Sequence, residues 1–259
     1  MTAPFVLSVS NRKGGSGKST TVVNLAAEWA ARHRRVLVVD LDTQGHAGLG
    51  LGISVAKGAP TAHHIFRDPT FDLSTAVVES AWAGLACAPA DPLFQAEGPH
   101  GLDVLARQLR RPAIAEAFDV VILDTPPSLD FLLMNALAAA DGVVIPMLPH
   151  ALSAEGVKQL TRLLYRIATT ANPGLRLVGL LPVTLNSRIN HHQSVLDEVT
   201  RQFGPERVLR GIRTDIALAE AFAAGKPARV HAPRSRGAMD YFLLADELPQ
   251  LWPGSLAAS

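Results

Sequence analysis

Two observations predict an α/β fold, doubly wound, with a mostly parallel sheet and helices on both faces. Short runs of apolar, often β-branched residues alternate with segments of helical spacing along most of the chain. The first run leads straight into a loop rich in glycine and lysine, the pattern of a buried strand handing over to a helix at the carboxyl edge of a sheet. Runs at 5–10, 36–40, 85–89, 120–124, 143–147 and 177–185 read as strands buried on both faces. Good helix formers at helical spacing mark 20–32, 102–109, 128–139, 153–168 and 194–203. Between 45 and 83 the pattern is irregular and predicts only a short helix near 61–66. A chain of 259 residues with 48% hydrophobic content can bury one large core, and no composition break or internal repeat divides it. One domain over 1–259 is expected.

The loop Asn11-Arg12-Lys13-Gly14-Gly15-Ser16-Gly17-Lys18-Ser19-Thr20 reads as a phosphate cradle. Glycines let backbone N–H groups turn onto a polyphosphate, Lys18 reaches the β/γ-phosphates, and the Ser19 hydroxyl is placed for Mg²⁺. A helix opening at Ser19 would point its positive end at the same phosphates. The generic pattern G-x-x-x-x-G-K-[ST] asks for glycine where Arg12 stands. The segment instead fits K-G-G-x-G-K-[ST]-[ST], with a second lysine, Lys13, ahead of the glycines.

Two further strands end in carboxylates. The run 36–39 leads into Asp40-Leu41-Asp42-Thr43-Gln44-Gly45, and 120–123 into Asp124-Thr125-Pro126-Pro127. In a parallel sheet both would sit at the edge from which the phosphate loop emerges. Either Asp40 or Asp42 could serve a Mg²⁺–nucleotide site, or act as a turn or cap residue. Asp124 has the form of a Walker B carboxylate, holding Mg²⁺ through water. The two prolines after it impose an extended exit.

Composition narrows the function classes. The single cysteine, Cys87, excludes a disulfide framework within the chain and suits a reducing compartment, the cytoplasm. No apolar segment approaches the ~20 residues needed to cross a bilayer, and the start carries no export signal. Net charge is only +1, yet 201–240 holds eight Lys and Arg against four Asp and Glu.

These motifs, with Asn135-Ala136-Leu137, Leu185-Asn186-Ser187-Arg188, Gly225-Lys226-Pro227, the run 140–146, the run 233–238 and the extension of the Asp124 run to Leu129, resemble the ParA/MinD ATPases with a deviant Walker A loop. The chain is similar to a small, chromosomal Soj-type ParA over nearly its whole length. The resemblance implies an ATP-dependent dimeric switch for DNA partitioning or cargo positioning, with ATP and Mg²⁺ as cofactors. Lys13 would cross to the partner's phosphates and Lys18 would act in cis. ATP would be bound by Lys13, Gly14, Gly15, Ser16, Gly17, Lys18, Ser19, Thr20 and, near the adenine, Asn186. Ser19, Asp42 and Asp124 would serve the metal, and Asp42 would orient the attacking water. Thr43 and Ser16 replace the family's usual proline and valine without removing a functional group. His46 and the pair His191-His192 are also unusual, but their spacing supports no zinc site.

The same resemblance implies non-specific DNA binding in the ATP state, with Arg213, Lys226, Arg229, Arg234 and Arg236 as the contacts. A ParB-like or cargo-adaptor protein would stimulate hydrolysis, and the homodimer would be cytoplasmic and nucleoid-associated. Only about a dozen residues precede the loop, so no N-terminal helix-turn-helix domain is expected. A MinD-like or other regulatory ATPase acting without DNA is the alternative. A membrane-surface role is disfavoured by the acidic, proline-broken run 245–254. A four-cysteine electron-transfer cluster is excluded by one cysteine per subunit.

Overall fold

A computed structural model describes residues 3–95, 101–128 and 130–251. Leu129 and residues 252–254, both part of the sequence reading, lie outside the described residues. Strands β1 (Phe5–Val9), β2 (Val36–Asp40), β3 (Val78–Glu79), β4 (Leu85–Ala88), β5 (Val120–Asp124), β6 (Gly142–Met147) and β7 (Arg176–Pro182) form one seven-stranded sheet. Its order is β3-β4-β2-β5-β1-β6-β7, and every pairing is parallel except that of β3 with β4.

The helices are α1 (Lys18–Ala30), α2 (His46–Gly50), α3 (Val104–Leu109), α4 (Pro112–Ala115), α5 (Phe131–Ala139), α6 (Ala151–Thr170), α7 (Asn190–Phe203), α8 (Ile216–Ala223), α9 (Ala228–His231) and α10 (Arg236–Glu247). Alternate strand residues feed two cores, as double winding requires. Phe5, Leu7, Val9, Val36, Val38, Val120 and Ile122 pack toward α1 and α10. Val6, Leu37, Val39, Val121 and Leu123 pack toward α3, α5, α6 and α7. The α1–α10 contact is pinned by polar bonds, with Trp29 Nε1–H donating to the Ala245 carbonyl at 3.0 Å and Thr21 and Tyr241 hydroxyls 3.2 Å apart.

The expected strands are all present, and the structure moves several helix starts. The fifth helix begins at Phe131 rather than 128 because Asp130 caps it, accepting the N–H groups of Leu132 and Leu133 at 3.0 and 3.1 Å. The segment near 61–66 is a 3₁₀ helix, Ala62–Phe66, capped by Thr61. The 201–240 region, read mainly for its charge, holds the end of α7, a 3₁₀ turn at Pro205–Arg207, α8, α9 and the start of α10. Asp215 binds α8 to α10 by accepting from Ala217 N–H at 3.1 Å and Gly237 N–H at 2.8 Å.

Helix α2 is held among its neighbours through glycines. A Cβ on Gly50 would meet Phe222 of α8 at 2.7 Å and Val23 of α1 at 2.8 Å. Just beyond, Gly52 (φ +69°) and Gly225 (φ +62°) lie backbone to backbone, and a Cβ on either would come within 2.9 Å of the other. Among the described residues no helix is long and apolar enough to cross a membrane.

Candidate nucleotide site

Register brings the site together. Val9, the last residue of β1, is opposite Asp124 at the end of β5, and Asp124 is opposite Asp40 at the end of β2. Three strand ends at one edge therefore present the loop and both carboxylates to a common space, where strand order reverses about β1. The loop's entry is fixed by side chains: Asn11 donates to the Pro146 carbonyl at 2.5 Å and accepts from Lys13 N–H at 3.0 Å. Gly17 has φ +81°, a left-handed turn that glycine adopts without strain, and Thr21 N–H closes the first α-helical bond onto its carbonyl at 2.9 Å.

Gly14, Gly15, Ser16, Gly17, Lys18, Ser19 and Thr20 line a cavity of about 270 Å³ together with Asp42, Gln44, His46, Pro127 and Phe222. The two lysines separate. Lys18 is 6% exposed and turned inward, and Lys13 is exposed to solvent. Burial lowers the Lys18 pKa, opposed by the negative charges of Asp124 and Asp42.

Asp124 is wholly buried, and neither of its oxygens has a hydrogen-bond partner of good geometry among the described residues. Burial pushes its pKa up to about 7, while the nearby Ser19 hydroxyl and Lys18 ammonium pull toward ionisation and Asp42 pulls the other way. An orphaned carboxylate beside Ser19 is the donor set a hard divalent cation takes, so the residues present fit Mg²⁺. Cys87, in β4, is fully buried, and burial with the charges of Asp40 and Asp124 raises its pKa well above the usual thiol value. It is inert as a nucleophile.

Asp40 and Asp42 have different surroundings. Asp40 is an internal cap: one carboxylate oxygen accepts from Asp42 N–H at 3.1 Å, the other from Ala47 and Gly48 N–H at 3.0 and 3.2 Å. Burial and the Asp124 charge push its pKa well above the carboxylate range. Asp42 opens onto the cavity and closes a tight turn, its side chain accepting from Gln44 N–H at 3.1 Å. The alternatives left open by the sequence thus divide, the first aspartate capping and the second facing the site.

Asn186 is not part of this cavity. It lines a neighbouring depression of about 400 Å³ with Arg188, Arg213 and Arg236. Its own N–H donates to His192 Nδ1 at 3.2 Å, which gives that unusual histidine a structural role. Among the described residues no group of three His, Cys, Asp or Glu could hold a metal.

The five basic candidates do not form one patch. Arg213 and Arg236 share the depression beside Asn186, joined by Arg188, which the local charge count missed because it precedes residue 201. Arg229 faces a different depression, with His33, Arg34 and Arg35, and sits 3.5 Å from Glu28 near the far end of α1. Arg213 is bidentate to buried Asp240, its closest contact 2.7 Å. Lys226, Arg234 and Arg236 are exposed, with no ion pair among the described residues.

A sequence model of a family described as an AAA domain matches residues 5–177. The chromosome-partitioning ATPase Soj of Thermus thermophilus is 37% identical over 242 residues, covering 93% of this chain and 94% of its own. The chain belongs to the ParA/Soj family of P-loop ATPases. The sporulation initiation inhibitor protein Soj of Bacillus subtilis, 35% identical, covers 94% of this chain and 97% of its own length. Among solved structures, cobyrinic acid a,c-diamide synthase from Mycobacterium smegmatis with bound ADP and magnesium has a TM-score of 0.79 at 31% identity, covering 96% of this chain and 95% of that one. The family expectation and the doubly wound fold are both borne out.

Proposed function

We propose that this ATPase is a dimeric switch, assembled by ATP and reset by hydrolysis, that binds DNA without sequence preference to partition DNA or position cargo. The observation that carries the reading is the opposite disposition of the two loop lysines, Lys18 buried against Asp124 and Asp42 and Lys13 exposed to solvent just ahead of the cavity-lining Gly14. One cation serves the nucleotide of its own chain. The other is free to serve a second copy, where two polyphosphates facing each other would otherwise repel.

In this reading Lys13 to Thr20 bind ATP, and Ser19 and Asp124 hold Mg²⁺, with Asp42 at its edge. The metal neutralises charge on the β- and γ-phosphates. Asp42, held in its turn at the cavity wall, orients the water that attacks the γ-phosphate. Asn186 contacts the adenosine end from the depression beside the loop. Val183, three residues earlier, supports this by packing against the loop: a Cβ on Gly17 would be 3.3 Å from it.

DNA contact belongs first to Arg236 and Arg213 with Arg188, then to Lys226 and Arg234. Arg229 lies near the far end of α1, about 15 Å along the helix from the phosphate loop, and contributes to a separate surface if it binds DNA at all. A ParB-like or adaptor protein stimulates hydrolysis, and the ATP dimer is cytoplasmic and nucleoid-bound. Chemistry at a thiolate has no place here, since Cys87 is sealed in the core.

Co-sedimentation with random-sequence DNA in ATP, in ADP and without nucleotide tests the reading. Binding confined to ATP and weakened steeply by salt is expected. No binding with ATP at low salt would instead favour a regulatory ATPase that works without DNA.

A further inference from the structure

Beyond β2 the chain leaves the sheet at the point where its catalytic carboxylate must be aimed. The Leu41–Asp42 peptide is gripped from both sides. Its N–H donates to Asp40 Oδ1 at 3.1 Å, and its carbonyl lies 3.3 Å from Nε2 of His63. His63 is fully buried, stacked on Phe94 with ring centroids 4.5 Å apart. Its other nitrogen, Nδ1, accepts the backbone N–H of Asp91 at 2.9 Å. Because Nδ1 accepts, the ring proton sits on Nε2 and is donated to Leu41. Burial keeps the ring neutral, its pKa lowered to about 4. Leu41 N–H in turn donates to the Asp124 carbonyl at 2.9 Å, so the approach to Asp42 is fixed at successive peptides.

We infer that His63 is a positioning residue for ATP hydrolysis: its imidazole locks the Leu41–Asp42 peptide and thereby aims the Asp42 carboxylate into the phosphate cavity. The inference rests on the reading of Asp42 as the residue that orients water. His63 touches neither nucleotide nor metal site and acts through the backbone alone. The Leu41 carbonyl it serves is buried, so an apolar residue would leave it unpaired and free the peptide to rotate.

The test compares His63→Leu, His63→Gln and His63→Asn in single-turnover ATP hydrolysis and in ATP affinity by calorimetry. Glutamine's amide reaches as far as Nε2 and keeps the bond to Leu41, whereas asparagine's reaches only as far as Nδ1. His63→Leu and His63→Asn should lose about tenfold or more in kcat with ATP affinity within about twofold, and His63→Gln should recover most of the rate. In an Asp42→Ala background, His63→Leu should cost nothing further. Wild-type hydrolysis by Asp42→Ala alone would remove the underlying reading of Asp42. With Asp42→Ala slow, an unchanged kcat in folded His63→Leu, or equal rates in the glutamine and asparagine variants, would overturn the role of His63. If His63→Leu does not fold, the glutamine–asparagine comparison decides. Independently of activity, ¹⁵N NMR of the ligand-free protein at pH 7 should show His63 neutral and protonated at Nε2, and an Nδ1–H tautomer or an imidazolium would overturn the geometry.

Discussion

Asp124→Asn should stabilise the ligand-free protein and destroy its response to Mg²⁺ and nucleotide. In the fold the carboxyl's pKa rises from 3.8 to about 7. A shift of about 3 units corresponds to roughly 4 kcal/mol of penalty on the ionised form. The folded pKa lies above the unfolded one, so between the two values the folded state binds a proton that the unfolded state lacks. Stability from this group therefore falls as pH rises from about 4 to about 7, and at pH 8 the whole penalty is present. Asparagine removes the charge but leaves an unpartnered amide, which costs about 1–3 kcal/mol in return. The net gain at pH 8 is about 1–3 kcal/mol, or about 2–12 °C in Tm for a chain of this size. Thermal unfolding in EDTA from pH 5 to pH 8 measures it. The variant's advantage should shrink toward pH 5, and addition of Mg²⁺ and ADP should raise the wild-type Tm but not the variant's. A variant less stable than wild type at pH 8, or an advantage independent of pH, would show that Asp124 is not held as an uncompensated charge.

The lysines should separate in solution: Lys18→Ala loses ATP binding by calorimetry, and Lys13→Ala binds ATP but gives no ATP-dependent dimer by light scattering. ATP affinity unchanged in the first, or an intact dimer in the second, would refute the assignment of one lysine to each copy. Arg236→Glu should weaken DNA binding by fluorescence anisotropy, flatten its salt dependence and leave the ATP dimer intact. Unchanged binding would move the DNA face elsewhere. Arg213→Glu should also lower the Tm, because it strips buried Asp240 of its bidentate partner, so its DNA result must be read beside its stability.

The central strands were legible because burial on both faces leaves continuous apolar runs, and the loop because its chemistry needs glycine and lysine at fixed spacing. Asp124 could be placed because a parallel sheet aligns carboxyl ends. Other features leave little trace in one dimension. Strand β3 is two exposed residues, Val78 and Glu79, paired antiparallel at the sheet edge, too short for any periodicity. Helices α8 (Ile216–Ala223) and α9 (Ala228–His231) are too short to display a helical period in sequence. Proximity in sequence also proved a poor guide to a surface, since Arg213 and Arg229 face different depressions while Arg188 joins the former. In sequence His63 is simply one of two adjacent histidines in an irregular stretch. Only the fold shows its two nitrogens bridging Leu41 and Asp91.

The glycine pair at 52 and 225 sets how closely the end of α2 and the turn after α8 can approach. Helix α2 is tethered at its start to Asp40, next to the Asp42 turn, and the chain just past its end rests directly on Gly225, whose neighbour is the basic Lys226. Side chains at an interface can absorb a small shift by changing rotamer. Two bare backbones in contact cannot, so the spacing between these two turns is set by main chain alone, with no slack for a side chain to take up. Even one added methyl at either glycine would therefore wedge the end of α2 away from the Gly-Lys-Pro turn.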